Sequence, residues 1–234
     1  MPESNNETTN TTKAKARAFT SYTIDNILMR AELVTTGHNS DPDIQAAMLP
    51  FSYDSAAITA LSQQLTDCRA TIAATLQSRG EQKSRTEQLK ADWDIAKNTT
   101  ATFRTVCQEL LKNEPGVLDG LGIRKGAAPR TIAAFLLYAD TLFANALSAS
   151  ATVKAKLATR GYNDARLTSE KAKITALHTA NQAQEQAKGK AQDLTPQQQK
   201  VLSDLDDEIM LYRKLARRAL KGRPQLLEKL GIKA

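Results

Sequence analysis

The sequence predicts an all-α protein, in which internally duplicated helical hairpins form an up-down four-helix bundle with additional short helices. Three observations predict this fold. Apolar residues recur at spacings of three and four over long segments, which is typical of one buried helix face. Glycine and proline are scarce, at 10 and 7 of 234 residues. The second half of the chain also repeats features of the first half at a constant offset, which predicts pseudo-two-fold symmetry.

The repeat has a single offset, at which position 115 corresponds to position 224. The segment PGVLDGLGI at 115–123 returns as PQLLEKLGI at 224–232. Between residues 53 and 123 the two copies share 17 identities in 71 ungapped positions, where composition alone would give about six. We therefore expect two helical repeats packed as one domain and a polar, disordered tail before them. The predicted segments are a tail at 1–20, repeats at 21–123 and 130–234, and a linker at 124–129.

Each repeat begins with a leading helix, predicted at Tyr22–Val34 in the first repeat and at Ile132–Leu147 in the second. A long helix then opens at Asp54, whose carboxylate suits the N-cap position. Tyr53 precedes this cap and can pack on Ile58 as a hydrophobic staple. The same three features return at the equivalent positions of the second repeat, as Tyr162, Asn163 and Leu167.

Turns are predicted in the middle of each repeat. Gly80 and Gly189 suit the left-handed residue that closes a helix, and the sequence TPQQ at 195–198 suits a new helix start with proline at its first position. Links at 80–85 and 189–195 would fold each repeat into an antiparallel hairpin. A final short turn should close at Gly122 and Gly231 with Schellman geometry.

Composition and motifs exclude several classes of protein. No apolar run approaches the roughly 18 residues of a membrane span, and the polar start lacks the apolar stretch of a secretory signal. We expect a cytoplasmic protein. Two cysteines, Cys68 and Cys107, lie on apolar stripes and are expected to be core thiols. Phosphate-binding glycine loops and nucleophile-elbow motifs are absent from the sequence.

The sequence signals for catalytic or metal-binding sites are weak. The two histidines, His38 in a predicted loop and His178 in a helix, lack the acidic residue three positions earlier that di-iron bundles use. An acidic cluster, DLDDE at 204–208, suits the N-terminal half of a helix and is interpreted as a solvated face, with a magnesium or acid–base site as the alternative. We expect no catalytic residues, no metal and no cofactor.

The charge distribution gives the clearest candidate surface. The net charge is +7, and all of the excess lies in residues 124–234. Within this half, the helical segment 213–223 carries a run of basic residues beside its apolar stripe. The run could complement the helix dipole, bind phosphates or rest on an anionic membrane surface. It comprises Arg213, Lys214, Arg217, Arg218 and Lys221.

Two segments carry a resemblance to known proteins. The sequences GYNDARL at 161–167 and ARRALKGRPQLLEKLGI at 216–232 resemble a loose group of uncharacterised bacterial proteins. In that group a Gly-Tyr helix start and a Pro-x-Leu-Leu-x-x-Leu-Gly-Ile end recur. The resemblance implies a duplicated helical bundle and no activity.

These patterns favour a non-enzymatic interaction or scaffold protein, with a protein partner or self-association. Its contact surface would be the groove between the halves or a polar notch near Asn181 and Glu185. The alternative is sequence-independent nucleic-acid binding through the basic helix 213–223. An enzyme or small-molecule site in the bundle interior is a third hypothesis, and a pocket with convergent polar groups would support it.

Overall fold

A computed structural model describes residues 19–123 and 128–233, and these residues are all-helical, with no strand among them. The predicted tail at 1–20 falls mostly outside the described residues, as do positions 124–127 of the predicted linker. The described ranges contain eight α-helices and one short 3-10 turn at Leu49–Phe51. The helices are α1 (Ser21–Ser40), α2 (Pro42–Met48), α3 (Ser55–Leu110), α4 (Pro115–Gly120), α5 (Ile132–Leu147), α6 (Ala151–Ala158), α7 (Asp164–Ala219) and α8 (Pro224–Lys229).

The predicted turns in the middle of the repeats are wrong. Helices α3 and α7 each run for 56 residues without interruption. Gly80 and Gly189 lie inside them and are not among the glycines with positive φ. The hairpins are therefore absent, and the four-helix bundle built from them is not what these helix bounds describe.

Helix α7 continues through Pro196 as well. Proline lacks the N–H that would bond the carbonyl of Gln192, and an interior proline costs about 3 kcal/mol relative to alanine. A glycine inside a helix costs only about 1 kcal/mol. The residues around Gly80 and Gly189 are mostly good helix formers, and both ends of each long helix are packed, so the helices remain continuous.

The helix ends follow the predicted local chemistry. The Asp54 carboxylate accepts a hydrogen bond from the Ala57 N–H at 2.8 Å, and the Asn163 side chain accepts one from Arg166 at 2.9 Å. After α4, Gly122 has φ +84°, and the Ile123 N–H donates to the Leu118 carbonyl at 2.9 Å. The same closure follows α8, where Ile232 donates to Leu227 at 2.9 Å. The predicted N-caps and Schellman closures are confirmed.

The chain divides into two compact units, whereas the repeat pattern predicts one domain. Unit 1 comprises Met1–Gln77 with Gln192–Ala234, and unit 2 comprises Ser78–Ala191. The boundaries cut through α3 and α7, so each long helix contributes to both units. The expected repeats do not coincide with these units, because each unit combines the first part of one repeat with the last part of the other.

Each unit has its own apolar core. In unit 1 the core includes Ile58 and Leu65 of α3 together with Leu205 and Ile209 of α7. In unit 2 it is formed by the later part of α3, by α5 and α6, and by the start of α7. Leu76 was expected on the buried stripe but is 63% exposed. It lies next to the end of unit 1, beyond the last buried apolar residue that α3 contributes to that core.

The helix bounds repeat at the offset of the sequence. Helix α7 begins and ends at the positions equivalent to the bounds of α3, and α8 matches α4 in the same way. The predicted leading helix at Ile132–Leu147 matches α5, whereas α1 extends six residues beyond the predicted Val34. Among the described residues no single helix is long and apolar enough to cross a membrane, and only α5 and α6, bent by 104°, reach that composition as a pair.

Candidate functional site

The basic run lies near the C-terminal end of α7, in unit 1. Tyr212 and Ala216 of this helix and Leu220, just after its end, are fully buried. Arg213, Lys214, Arg217 and Arg218 lie between these residues, and Lys221 follows Leu220. Four of the five are exposed, and they form no ion pair with any residue of the described ranges. These four, which we call the basic face, are Lys214, Arg217, Arg218 and Lys221.

Arg213 has a different role from its neighbours. It is half-buried, and its Nη2 donates a hydrogen bond to the Gly231 carbonyl at 3.0 Å, which ties α7 to the end of α8. Its Nη1 is buried and has no hydrogen-bond partner among the described residues. Burial lowers the pKa of Arg213, and the charges of Arg30 and Arg217 lower it further. Arg30 of α1 therefore adds a sixth cation beside the predicted run.

Two of the cations that follow the basic face are paired with carboxylates. Arg223 lies 3.7 Å from the Asp43 carboxylate, and Lys229 lies 2.7 Å from that of Asp41. Both acids flank the start of α2, so these pairs join α8 to the α1–α2 corner. The basic C-terminal region therefore contains paired cations, which stabilise the fold, and the basic face, whose charges are exposed to solvent.

The acidic cluster at 204–208 does not assemble into a site. Asp204 pairs with Lys200 at 2.6 Å, and Glu208 accepts a hydrogen bond from the Tyr53 hydroxyl at 2.8 Å. Asp206 is 8% exposed and Asp207 is exposed. The expectation of a uniformly solvated face is therefore wrong for Asp206 and Glu208. No group of three His, Cys, Asp or Glu side chains suited to a metal ion occurs within the described ranges.

Unit 1 contains a buried polar network that the sequence did not predict. His38 lies in the last turn of α1, not in a loop, and is 2% exposed. Its Nδ1 is 2.9 Å from the Tyr212 hydroxyl, and the Tyr212 ring packs edge-to-face on Tyr53. Burial lowers the pKa of His38 because it disfavours the protonated form of the ring. His38 and Tyr212 are 174 residues apart, and no local pattern could pair them.

The tyrosines and cysteines of the cores are poorly suited to chemistry. Burial raises the pKa of Tyr212, and burial together with Glu208 raises that of Tyr53. Both cysteines are free and fully buried. Burial raises the pKa of the Cys68 thiol, and it raises that of Cys107 to about 12. Thiols of high pKa are weak nucleophiles, which agrees with the expected core role.

The polar notch proposed from the sequence lies in unit 2. Asn181 is half-buried there, and Glu185 is exposed and lies 3.5 Å from Lys188. Asn181 and Glu185 do not form a cluster of unpaired polar groups, since Glu185 is paired with Lys188. The basic face remains the stronger candidate surface. Comparisons with protein-family models, with curated proteins and with solved structures returned no match to this chain.

Proposed function

We propose that this chain is a non-enzymatic interaction protein that binds an acidic segment of a partner protein at the basic face. The observation that carries the proposal is the exposure of Lys214, Arg217, Arg218 and Lys221 without a described ion-pair partner. Exposed cations on one face attract a partner of opposite charge and guide its approach.

The concentration of this charge is local. The residues assigned to unit 1 include 14 basic and 14 acidic side chains, so this part of the chain is neutral in total. Other cations of the unit, such as Arg69, Arg223 and Lys229, are paired with carboxylates. The unpaired charge on α7 is therefore not a by-product of an overall basic unit.

Apolar side chains border the basic face. Met210 and Leu211 of α7 are 52% and 49% exposed, one or two turns before the exposed cations. On α1, Leu33 is 38% exposed and lies beside Gly231, whose carbonyl accepts the hydrogen bond from Arg213. A surface that mixes apolar and basic groups suits an amphipathic acidic helix, which can use both. No aromatic side chain of the described α7 segment is exposed for base stacking, since Tyr212 is buried.

Binding to nucleic acid is the second candidate, and the spacing of the cations favours it. Lys214, Arg217 and Arg218 stand at i, i+3 and i+4 on one side of α7, and Lys221 follows in the turn after the helix. Four phosphate contacts would give a slope of about −3.6 for log affinity against log salt on duplex DNA.

One titration series separates these functions. Fluorescence anisotropy would follow a labelled amphipathic peptide rich in glutamate and leucine, mixed-sequence DNA and RNA, from about 50 to 200 mM salt. Peptide binding in preference to nucleic acid supports the proposal, whereas nucleic-acid binding with the steep slope supports the second candidate. If none of the three probes binds at low salt, both are wrong.

Matched variants locate the binding. Replacing Lys214, Arg217, Arg218 and Lys221 together by glutamine keeps helix formers on α7 and should abolish binding. The control replaces four exposed cations of the first repeat by glutamine and should bind as the unchanged protein does. The control residues are Lys83, Arg85, Lys90 and Lys112. Equal loss in both variants would mean that binding follows net charge and not this face.

The remaining parts of the proposal concern origin and setting. The recurrence of helix bounds at the offset of the sequence repeat, together with the sequence identities, supports an internal duplication that produced two pseudo-symmetric repeats. Cytoplasmic location is proposed with it. Self-association is the alternative to a separate partner, and measurement of the mass in solution with and without the peptide distinguishes the two.

A further inference from the structure

A pocket lies in unit 2, formed by residues other than those of the basic face. Its volume is about 560 Å³, which lies within the usual range for small-molecule sites. One wall is aromatic: Trp93 of α3 packs edge-to-face on Phe135 of α5, with ring centroids 4.8 Å apart. This wall offers a flat apolar surface to a ligand.

The polar part of the lining is cationic. Lys97, Arg104 and Arg130 line the pocket, and none of its described lining residues is acidic. The Lys97 ammonium lies 5.4 Å from the centre of the Trp93 ring and 3.0 Å from the Asp94 carboxylate. The residues assigned to unit 2 include 18 basic and 11 acidic side chains, so the excess positive charge of the chain belongs to this unit.

Two hydroxyl groups in this region lack partners among the described residues. Thr100 lines the pocket and is 1% exposed, and its Oγ1 accepts and donates no hydrogen bond. The buried Tyr138 hydroxyl, one turn along α5 from Phe135, is also without a partner. A buried polar group without a hydrogen bond is unfavourable, and a polar ligand group in the pocket can supply a partner to Thr100.

We propose that this pocket binds a small aromatic anion, with its ring against Trp93 and Phe135 and its carboxylate, sulfonate or phosphate beside Arg104 and Arg130. Aromatic rings supply contact area and favour edge-to-face or offset packing. Guanidinium groups match planar and tetrahedral oxyanions with paired donors. The proposal is independent of the proposed function, because it concerns other residues in the other unit.

The test uses Trp93, which is the sole tryptophan of the chain. The probe is anilinonaphthalene sulfonate, and its neutral analogue is phenyl naphthylamine. Selective excitation of Trp93 should produce emission from the bound sulfonate, since energy transfer requires that the probe lies close to this ring. The sulfonate should bind at least about tenfold more tightly than the neutral probe, a difference that one charge interaction supplies.

Variants of Ala101 separate charge from shape. Ala101 lines the pocket on the exposed side of α3, so both Ala101→Glu and Ala101→Gln should fold. Ala101→Glu should weaken sulfonate binding about tenfold, while Ala101→Gln should change it less than about twofold. Lys233→Gln, at an exposed position of the other unit and outside the basic face, should leave binding unchanged. Equal affinity for the charged and neutral probes, equal effects of the two Ala101 variants, or no energy transfer from Trp93 would overturn the proposal.

Discussion

Tyr53 packs edge-to-face on Tyr212, with ring centroids 4.8 Å apart. The residues at the equivalent positions of the opposite repeats, Tyr162 and Phe103, also pack together, at 4.9 Å. The first pair joins the start of α3 to the late part of α7 in unit 1. The second joins the start of α7 to the late part of α3 in unit 2. Each unit therefore combines residues from both sequence repeats, and an aromatic pair at equivalent positions lies in each core, edge-to-face in unit 1 and tilted in unit 2.

The His38–Tyr212 contact predicts a pH-dependent stability. Burial lowers the pKa of His38 in the folded protein, while an unfolded histidine titrates near pH 6.5. The unfolded chain then binds more protons below about pH 6.5, so the free energy of unfolding should fall as the pH is lowered, by at most about 1.4 kcal/mol per pH unit.

Urea unfolding between pH 7 and pH 5 measures this slope, which reports the difference in proton binding between the folded and unfolded chains. His38→Gln should remove its histidine component from this slope. Identical slopes in the unchanged protein and in His38→Gln would contradict the assignment to His38.

The continuity of the long helices predicts stabilising glycine substitutions. A Cβ atom added at Gly80 or Gly189 would meet nothing within 4 Å. Gly80→Ala and Gly189→Ala should each raise the free energy of unfolding by about 0.5–1 kcal/mol, because alanine favours the helix more strongly. Destabilisation by both substitutions would instead indicate the left-handed turns that the sequence predicted.

At Ser52 we expect the opposite substitution, to glycine, to raise the stability of the protein. It has φ +64° and ψ +21°, a left-handed conformation that costs a non-glycine residue about 1 kcal/mol. At the equivalent position of the second repeat stands Gly161, with φ +78°. Ser52→Gly should therefore raise the melting temperature, and the reciprocal Gly161→Ser should lower it. A loss of stability in Ser52→Gly would show that the serine side chain is required there.

Gly37 lies where α1 packs tightly against the end of α8. A Cβ atom at this position would lie 2.7 Å from the Lys229 carbonyl oxygen, and backbone cannot move aside as a side chain does. Gly37→Ala should lower the free energy of unfolding by about 1–3 kcal/mol, as overpacked cores do. Gly116→Ala, where nothing lies within 4 Å, is the matched control. Thermal melts that agree for both variants would mean that α1 and α8 separate at little cost.

Local signals predicted the helix starts and closures well. The Asp54 cap and the Ile123–Leu118 closure depend on residues within one turn, so their sequence signatures suffice. Gly80 and Pro196 carried local signals of equal clarity, yet the helices continue through them. Packing at both ends of α3 and α7 outweighs about 1 kcal/mol for a glycine and about 3 kcal/mol for a proline.

The candidate site was predicted in part. The i+3 and i+4 spacing placed the basic residues on one helix face, as the buried Tyr212 and Ala216 show. The hydrogen bond from Arg213 to Gly231 links residues 18 positions apart. The repulsion between Arg30 and Arg213 acts between two helices that are far apart in sequence. Neither follows from the period of a helix, and the aromatic pocket of unit 2 depends on the same kind of distant contact.

The two units differ in how their residues are distributed along the chain. Unit 2 is one continuous stretch, Ser78–Ala191, whereas unit 1 needs residues from both ends. During synthesis on the ribosome, every residue of unit 2 is available while the segment from Gln192 onward is still to be made. Unit 2 can fold first, whereas the apolar side of α1 stays exposed until α7 has been synthesised. Slow translation or premature termination near the end would leave this apolar surface exposed for longer, and exposed apolar surface favours aggregation.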